Sequence, residues 1–313
     1  NIVEHTINQI ETEENFNKKD NEEDKNDKSF YSTVFTRSYK ETLIKNLIDG
    51  KNEEAILGLS YKKDGKIIHN QSRPLLQNLD ELPDPAYDLL SLERYRPTIG
   101  SYKKLPAIHM VVSRGCPGQC TFCHSGSANH FGKAVRYRSP QRIFNQIKDL
   151  HENHGINEII FYDDNIITSK PFVTEFCNLL INNSLDISWT CFGRADFIRD
   201  LEVLKLMQKA GCHQMCVGIE SGDETILKNI KKYIKREDAK RAVKLLREAK
   251  IDSRFAFMLG LPGETVETMQ KTLDFALQRE LSSRQGFPAF SVKAFQDFGR
   301  ELLLVPALSF QVV

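Results

Sequence analysis

The chain has 313 residues, of which 40% are hydrophobic and 27% charged, a composition typical of a globular protein with one large domain and a smaller segment. Lysine and arginine total 43 against 42 acidic residues, and this near-zero balance disfavours a nucleic-acid protein that binds through a broad basic surface. The sequence contains no apolar run long enough to span a membrane, and its first residues are too polar for a secretory signal.

The amino-terminal third predicts little regular structure. Residues 1–33 are rich in Asn, Asp, Glu and Lys, and we expect a disordered segment or linker, because so few apolar side chains cannot offset the entropy of ordering. Residues 34–105 are interpreted as a short α+β connector, with a short strand and an amphipathic helix over 34–50 and a hairpin over 55–70 that turns at Asp64-Gly65. The proline-rich stretch 71–100 is expected to be extended.

From residue 106 onward, predicted strands alternate with predicted helices. The strands are expected at 107–113, 158–163, 187–192, 213–219, 253–259 and 288–292. The helices are expected at 140–154, between the cap signals Ser139-Pro140 and Gly155, and at 170–183, 199–210, 223–231, 237–250 and 264–280. Repeated βα units predict an α/β fold with a parallel sheet closed as a barrel or partial barrel over 106–293, with 294–313 unassigned. Functional groups of such barrels lie at the carboxyl ends of the strands.

The segment SRGCPGQCTFCHSG is the strongest functional signal. It places Cys116, Cys120 and Cys123 with the spacing C-x3-C-x2-C directly after the first strand. Three thiolates on one loop can each bind one iron of a [4Fe–4S] cluster and leave the fourth iron open to a cofactor or substrate. A structural zinc site is the main alternative, and it would need a fourth ligand such as His124, His109 or His130. An odd cysteine count with three cysteines so close indicates a metal site in a reducing compartment, which we expect to be the cytoplasm. Of the other cysteines, Cys212 and Cys216 are expected in the core, Cys177 in an amphipathic helix and Cys191 in a strand.

The loop after the first barrel strand, with Phe122 directly before its last cysteine, resembles the signature of the radical S-adenosylmethionine (SAM) superfamily. The resemblance covers residues 107–280 and implies a partial (β/α)6 TIM-like barrel, a [4Fe–4S] cluster on Cys116, Cys120 and Cys123, and Phe122 near the adenine of SAM. It further implies one-electron cleavage of SAM to methionine and a 5′-deoxyadenosyl radical, a flavodoxin- or ferredoxin-type reductant, and a small-molecule substrate.

Residues at the other strand ends resemble the matching positions of this superfamily. The resemblance implies that Asp164 faces a cation or the ribose of SAM, that Arg194 and Glu220 bind its charged groups, and that the backbone at Gly260 lies against adenine. For each of them, a helix cap or a strand-to-helix turn is the alternative interpretation. No catalytic residue is identified from the sequence.

Residues 55–96 narrow the resemblance to one branch of the superfamily. GLSYKKDG and RPLLQNLDELPDPAYD are similar to the connector between the cobalamin-binding domain and the barrel in cobalamin (B12)-associated members. That branch includes methyltransferases that act on carbon or phosphorus, and an anaerobic porphyrin ring cyclase. The branch's cobalt-ligand motif, Asp-x-His-x-x-Gly, does not occur in this sequence, so cobalamin is the one cofactor of the branch without a recognisable ligand in it.

Two other functional classes remain open at this point. A methylthiotransferase that modifies RNA or protein would need a second three-cysteine cluster and an RNA-binding β-barrel, and neither is visible in the sequence. A non-enzymatic iron–sulfur or zinc module would bind metal without cleaving SAM.

Overall fold

In the computed structural model, the described residues are 52–278 without 96, 98, 99 and 124–130, together with strand 290–294 and the single positions 46 and 49. The predictions for 1–33, and nearly all of those for 34–50 and 294–313, therefore fall outside the described residues. The chain divides into two compact units, 1–74 and 75–313.

The first unit contains the predicted hairpin. Strands β1 (Ser60–Lys63) and β2 (Lys66–His69) pair antiparallel across the turn at Asp64 and Gly65, whose φ angles of 50° and 77° are both positive, as a tight two-residue turn requires. A small core is buried against this hairpin: Ile56, Leu59 and Tyr61.

The second unit begins its sheet with a strand that is shorter than predicted. Strand β3 spans Ala107–Met110, so the prediction of one strand over 107–113 is wrong. The chain then leaves the sheet and forms β4 (Ser113–Arg114), which pairs antiparallel with β5 (Arg136–Tyr137). The reason for the break is Asp163, whose carboxylate accepts the backbone N–H groups of Val112 and Ser113. The pair β4–β5 brackets the cysteine loop.

The main sheet has six parallel strands whose order follows the chain, β3-β6-β7-β8-β9-β10. The strands after β5 are β6 (Glu158–Phe161), β7 (Ser188–Arg194), β8 (Cys212–Glu220), β9 (Asp252–Leu259) and β10 (Phe290–Ala294). Each strand pairs with its predecessor in the barrel, and β10 pairs with β9, which confirms the predicted α/β fold of the partial-barrel type.

Six α-helices connect these strands in the part of the chain that the structure describes. They are α1 (Pro140–His154), α2 (Lys170–Asn182), α3 (Leu201–Lys209), α4 (Glu224–Asn229), α5 (Arg236–Glu248) and α6 (Val266–Ala276). Only α1 has its predicted bounds; the other helices differ from the predictions by a few residues at their ends. Among the described residues, no helix combines the length and the apolar content needed to cross a membrane.

The two faces of the sheet carry different side chains, because residues alternate along each strand. On β7, Trp189 and Cys191 belong to the helix-covered core, where Trp189 packs edge-on against Phe161 with ring centroids 5.6 Å apart. The intervening positions, Phe192 and Arg194 among them, point to the opposite face. The strand ends therefore deliver polar side chains to the face that the helices do not cover.

The proline-rich connector packs on α1 within the second unit. Arg138 is 6% exposed, and its guanidinium binds the Asp84 carboxylate at 2.8 Å and the Leu82 carbonyl at 2.6 Å. Gln146 of α1 donates to the hydroxyl of Tyr87 at 2.8 Å. These contacts give a stretch with little regular structure a fixed place beside the sheet.

Candidate active site

The cysteine loop is fixed by backbone hydrogen bonds at two points. The N–H of Cys116 donates to the carbonyl of Gly132 over 3.2 Å, and the N–H of Thr121 donates to the carbonyl of Ile230 over 3.0 Å. All three cysteines of the loop are free of disulfide bonds; one is buried and two are half-buried. The loop is thus held both to the segment just before β5 and to the turn after α4.

Two glycines let this loop approach its neighbours closely. Gly115 has a φ of +99°, a left-handed conformation, and a Cβ atom there would collide with the carbonyl oxygen of Ala134. A Cβ atom on Gly118 would lie 2.9 Å from Nη1 of Arg194 and 3.4 Å from Sγ of Cys116. The space that a side chain would fill is occupied by a guanidinium and a sulfur.

Arg194, at the end of β7, directs its guanidinium at the loop. Its Nη1 lies 3.4 Å from Sγ of Cys120, and its Nη2 donates to the carbonyl of Lys232 at 2.9 Å. Nε and Nη2 bind the two carboxylate oxygens of Asp196 at 3.1 and 3.2 Å. Burial works to lower the Arg194 pKa, but Asp196 and the Cys120 sulfur outweigh it and raise that pKa above its usual value.

A buried ion pair lies next to this guanidinium. Nζ of Lys232 is 3.0 Å from Oε1 of Glu220, and the two side chains are 7% and 9% exposed. Glu220 ends β8 with a φ of +71°, and a Cβ atom on Gly218 would collide with its carboxylate. Nζ of Lys232 also lies 6.0 Å from the centroid of the Phe122 ring. The predicted residues Phe122, Arg194 and Glu220 are therefore brought together with the cysteine loop, and Lys232 touches all three.

Lys232 was not predicted from the sequence. A lysine in the polar run Lys231-Lys232 is usually exposed. The available signal is the alternation Ile230-x-Lys232-x-Ile234, because both isoleucines are buried, at 1% and 3% exposure, and Lys232 shares their spacing.

The three polar residues after β6 have different environments. The Asp163 carboxylate accepts the backbone N–H groups of the segment that follows β3. Burial raises the pKa of Asp163 to about 6, although its hydrogen bonds act to lower that pKa. The predicted residue Asp164 lies exposed beside it. Asn165 is 1% exposed, and neither atom of its amide has a hydrogen-bond partner within the described part of the chain. A buried amide that lacks partners is a group that a ligand would satisfy.

The segment after β9 is a tight turn. Gly260 and Gly263 both have a φ above +80°. Glu264 accepts the N–H of Leu261 at 2.8 Å, and burial raises the pKa of its carboxyl group. This geometry agrees with the strand-to-helix turn, and the contact of Gly260 with adenine stays a prediction.

The residues of the loop fit a [4Fe–4S] cluster. Three cysteine sulfurs lie on one anchored loop, and a guanidinium reaches one of them. Glycines occupy the two loop positions at which a side chain would collide with neighbouring atoms. Among the described residues, no three His, Cys, Asp or Glu side chains are placed to hold a single metal ion. A cubane spreads its protein ligands over separate iron atoms, so its thiolates lie further apart than the ligands of one ion.

Of the three histidines considered as a fourth zinc ligand, only His109 lies among the described residues, and it belongs to no group of possible metal ligands there. The ring of His109 packs edge-on against Tyr162, with centroids 4.7 Å apart. His124 and His130 lie outside the described residues.

Two relatives in sequence cover most of this chain. It is 36% identical over 253 residues to an uncharacterized methyltransferase of Pyrococcus horikoshii, a match that covers 80% of this chain and 53% of the relative. It is 30% identical over 227 residues to an anaerobic magnesium-protoporphyrin IX monomethyl ester cyclase of Rubrivivax gelatinosus, covering 72% of this chain and 40% of that enzyme. The chain thus spans about half or less of the length of these relatives.

A solved structure and a family model are similar to this chain as well. The cobalamin-dependent SAM radical enzyme OxsB superimposes with a TM-score of 0.65 at 22% identity, over 77% of this chain and 35% of OxsB, which shows a shared fold. The model of the radical SAM superfamily matches residues 110–276, more than half of the chain and all strands from β6 to β9. With the cysteine loop and the parallel sheet in place, this match shows that the chain belongs to the radical SAM superfamily of enzymes.

Proposed function

We propose that the chain holds a [4Fe–4S] cluster on Cys116, Cys120 and Cys123 and cleaves SAM reductively to start radical chemistry on a small organic molecule. The observation that carries this proposal is the anchored loop of three thiols, with the Arg194 guanidinium 3.4 Å from the Cys120 sulfur. When bound, the cluster supplies the electron that breaks the sulfonium bond and an open iron for the amino and carboxylate groups of SAM. A flavodoxin- or ferredoxin-type protein is the proposed source of that electron.

The pair Glu220–Lys232 is proposed to receive the charged end of SAM. A buried carboxylate and ammonium held 3.0 Å apart can accept an N–H from the amino group of iron-bound SAM and donate to its carboxylate, respectively. Phe122, beside Lys232, offers an aromatic face for the adenine, and the amide of Asn165 is available to polar groups of SAM or substrate.

The organic substrate is proposed to bind along the sheet face that carries Arg194. Phe192 lies two residues before Arg194 on the same face, and its ring packs edge-on against the exposed Tyr162 with centroids 5.1 Å apart. This aromatic surface is suited to an apolar or conjugated molecule.

Methyl transfer is the proposed reaction class, with cobalamin as the methyl carrier. The support is the similarity to the Pyrococcus horikoshii methyltransferase, together with the fold shared with a cobalamin-dependent enzyme. The similarity to a cyclase supports radical ring formation as the second candidate.

Anaerobic reconstitution with iron and sulfide tests the cluster. We expect about four irons per chain in the wild-type protein and in the control Cys216→Ala, whose thiol lies on β8 outside the loop. The variant with Ala at all three loop cysteines should take up no cluster. Zinc in place of iron in the purified protein, or a cluster kept by the triple variant, would overturn the proposal.

The products of SAM distinguish the two reactions. With hydroxocobalamin present, methyl transfer releases S-adenosylhomocysteine together with 5′-deoxyadenosine. Release of 5′-deoxyadenosine alone in the presence of a substrate that is consumed would instead support the cyclase class.

A further inference from the structure

We propose that Arg194 is a positioning residue that raises the reduction potential of the cluster through a charge-assisted hydrogen bond from Nη1 to the Cys120 sulfur. The inference rests on the proposed function, since it needs the cluster. In this proposal Arg194 donates to the sulfur of a cluster ligand, Cys120. The sequence had instead led us to expect that Arg194 contacts SAM.

The guanidinium is fixed in place by its other contacts. Asp196 binds Nε and Nη2 in a two-pronged ion pair, and the Lys232 carbonyl accepts from Nη2 at 2.9 Å. All three nitrogens of Arg194 are therefore engaged with protein groups. A planar group held at two of its nitrogens has little freedom to swing its third nitrogen away from the sulfur.

Burial makes this contact electrostatically effective. Arg194 is 9% exposed and Cys120 is 5% exposed, so water screens the interaction poorly. The side chain of Asp196 is 23% exposed against 11% for Arg194, and its opposing negative charge is the better screened of the two. A donor that carries positive charge stabilises the reduced cluster more than the oxidised one, because reduction adds a negative charge.

Gly118 supplies an independent observation. A Cβ atom at this position would stand 2.9 Å from Nη1, so a larger residue forces the guanidinium and the loop apart. The loop thus leaves open the space through which Arg194 reaches Cys120. An alanine at position 118 should reproduce part of the effect of removing the arginine.

The test is an anaerobic redox titration of the reconstituted full chain without SAM, followed by electron paramagnetic resonance. In Arg194→Gln the midpoint should move to a more negative potential, so that the reduced-to-oxidised ratio at a fixed potential falls on the order of tenfold. Arg194→Lys should lie between this variant and the wild type, and Gly118→Ala should shift in the same direction.

Arg241→Gln is the matched control. Arg241 also pairs with an aspartate, Asp238, and its Nε reaches the carbonyl of Ile198 at 3.5 Å, but within the described part of the chain it contacts no sulfur. The variant Arg241→Gln removes the same charge from the chain as Arg194→Gln does. The midpoint potential of its cluster should equal that of the wild type.

The outcomes separate this proposal from the function on which it rests. A wild-type chain that takes up no iron overturns both. Loaded Arg194→Gln with a wild-type midpoint overturns the role of Arg194 alone. If Arg194→Gln fails to load, an unshifted midpoint in loaded Gly118→Ala overturns that role in its place.

Discussion

Two residues beside the cysteine loop, Glu220 and Lys232, adopt conformations or environments that are costly for their residue types. Glu220 adopts a left-handed backbone conformation, which costs about 1–3 kcal/mol in a residue with a side chain. Lys232 gives up its hydration to pair with it. Costs of this kind persist where a site needs the geometry, so both residues belong with the cysteines as functional candidates.

Gly115→Ala should prevent the loop from closing. The left-handed φ and the collision with the Ala134 carbonyl add together, so we expect a loss of about 2 kcal/mol or more in the free energy of unfolding, and a fall in reconstituted iron. Chemical denaturation and iron analysis measure the two effects.

Gly155→Ala is the control for Gly115→Ala. Gly155 has a φ of +67°, but a Cβ atom there meets nothing within 4 Å. It should cost about 1 kcal/mol and leave iron uptake intact. Equal iron uptake in both variants would contradict the role assigned to the loop geometry.

Lys232→Gln should weaken SAM binding. The substitution removes the buried ammonium that we assign to the SAM carboxylate, and about a tenfold rise in the dissociation constant is expected from the loss of one such contact. Isothermal titration of the reconstituted chain measures it. Lys231→Gln changes the neighbouring exposed lysine and should bind SAM as the wild type does; a similar loss in both variants would point to a general charge effect.

At the scale of single elements, sequence signals predicted what local chemistry decides. Helix α1 has its predicted bounds because the Ser139 side chain accepts the N–H of Arg142 and Gly155 takes the left-handed conformation at the other end. Strand β3 ends early because a carboxylate 50 residues away, that of Asp163, binds Ser113. Long-range contacts of this kind leave no periodic signal in the sequence.

The strands of the sheet are also tied together at their amino ends. Glu158 on β6 is fully buried and accepts the N–H groups of Lys103 and Lys104 at 2.7 and 2.6 Å. Its carboxylate also binds the Ser188 hydroxyl at 2.8 Å and lies 2.7 Å from Nε2 of His213. Burial opposes ionisation of Glu158, but His213 and the other donors lower its pKa below the usual value.

Glu158→Gln should destabilise the fold in a pH-dependent manner. A lowered pKa means that the carboxylate stabilises the folded chain above its unfolded pKa of 4.5, and that this contribution is lost as the pH falls through the folded pKa. We expect a gap of about 2 kcal/mol between wild type and variant at pH 7 that narrows below pH 4.5. Urea denaturation across this pH range measures the gap.

Glu175→Gln, on the exposed side of α2, controls for the loss of a charge and should show no such gap. A gap for Glu158→Gln that widens in acid would contradict the assignment of a lowered pKa.

At the scale of the whole molecule, the α/β fold and its βα order could be predicted from the sequence. The strands of the sheet are rich in apolar residues, and glycine, proline and helix-cap residues mark the turns between the elements. The residues that assemble into the site come from widely separated parts of the chain, 116–123, 194, 220 and 232. The position of 116–123, 194 and 220 at the carboxyl ends of strands could be predicted, since such ends lie on one edge, whereas 232 follows α4 and could not be placed there. Their mutual contacts, such as Arg194 with Cys120, depend on side-chain packing and could not.

The match to the superfamily covers strands β6 to β9 of the barrel, and the chain spans about half of its methyltransferase relative. The chemistry shared by the superfamily can therefore be tested on this chain directly, without knowledge of the final substrate. The cleavage of SAM is the step that does not depend on that substrate.

The most direct measurement is the amount of 5′-deoxyadenosine formed from SAM by the reconstituted, dithionite-reduced full chain under anaerobic conditions. The wild-type protein should release it together with methionine, and the variant without the three loop thiols should release none. A wild-type chain that carries a complete cluster, binds SAM and still forms no 5′-deoxyadenosine would contradict the account.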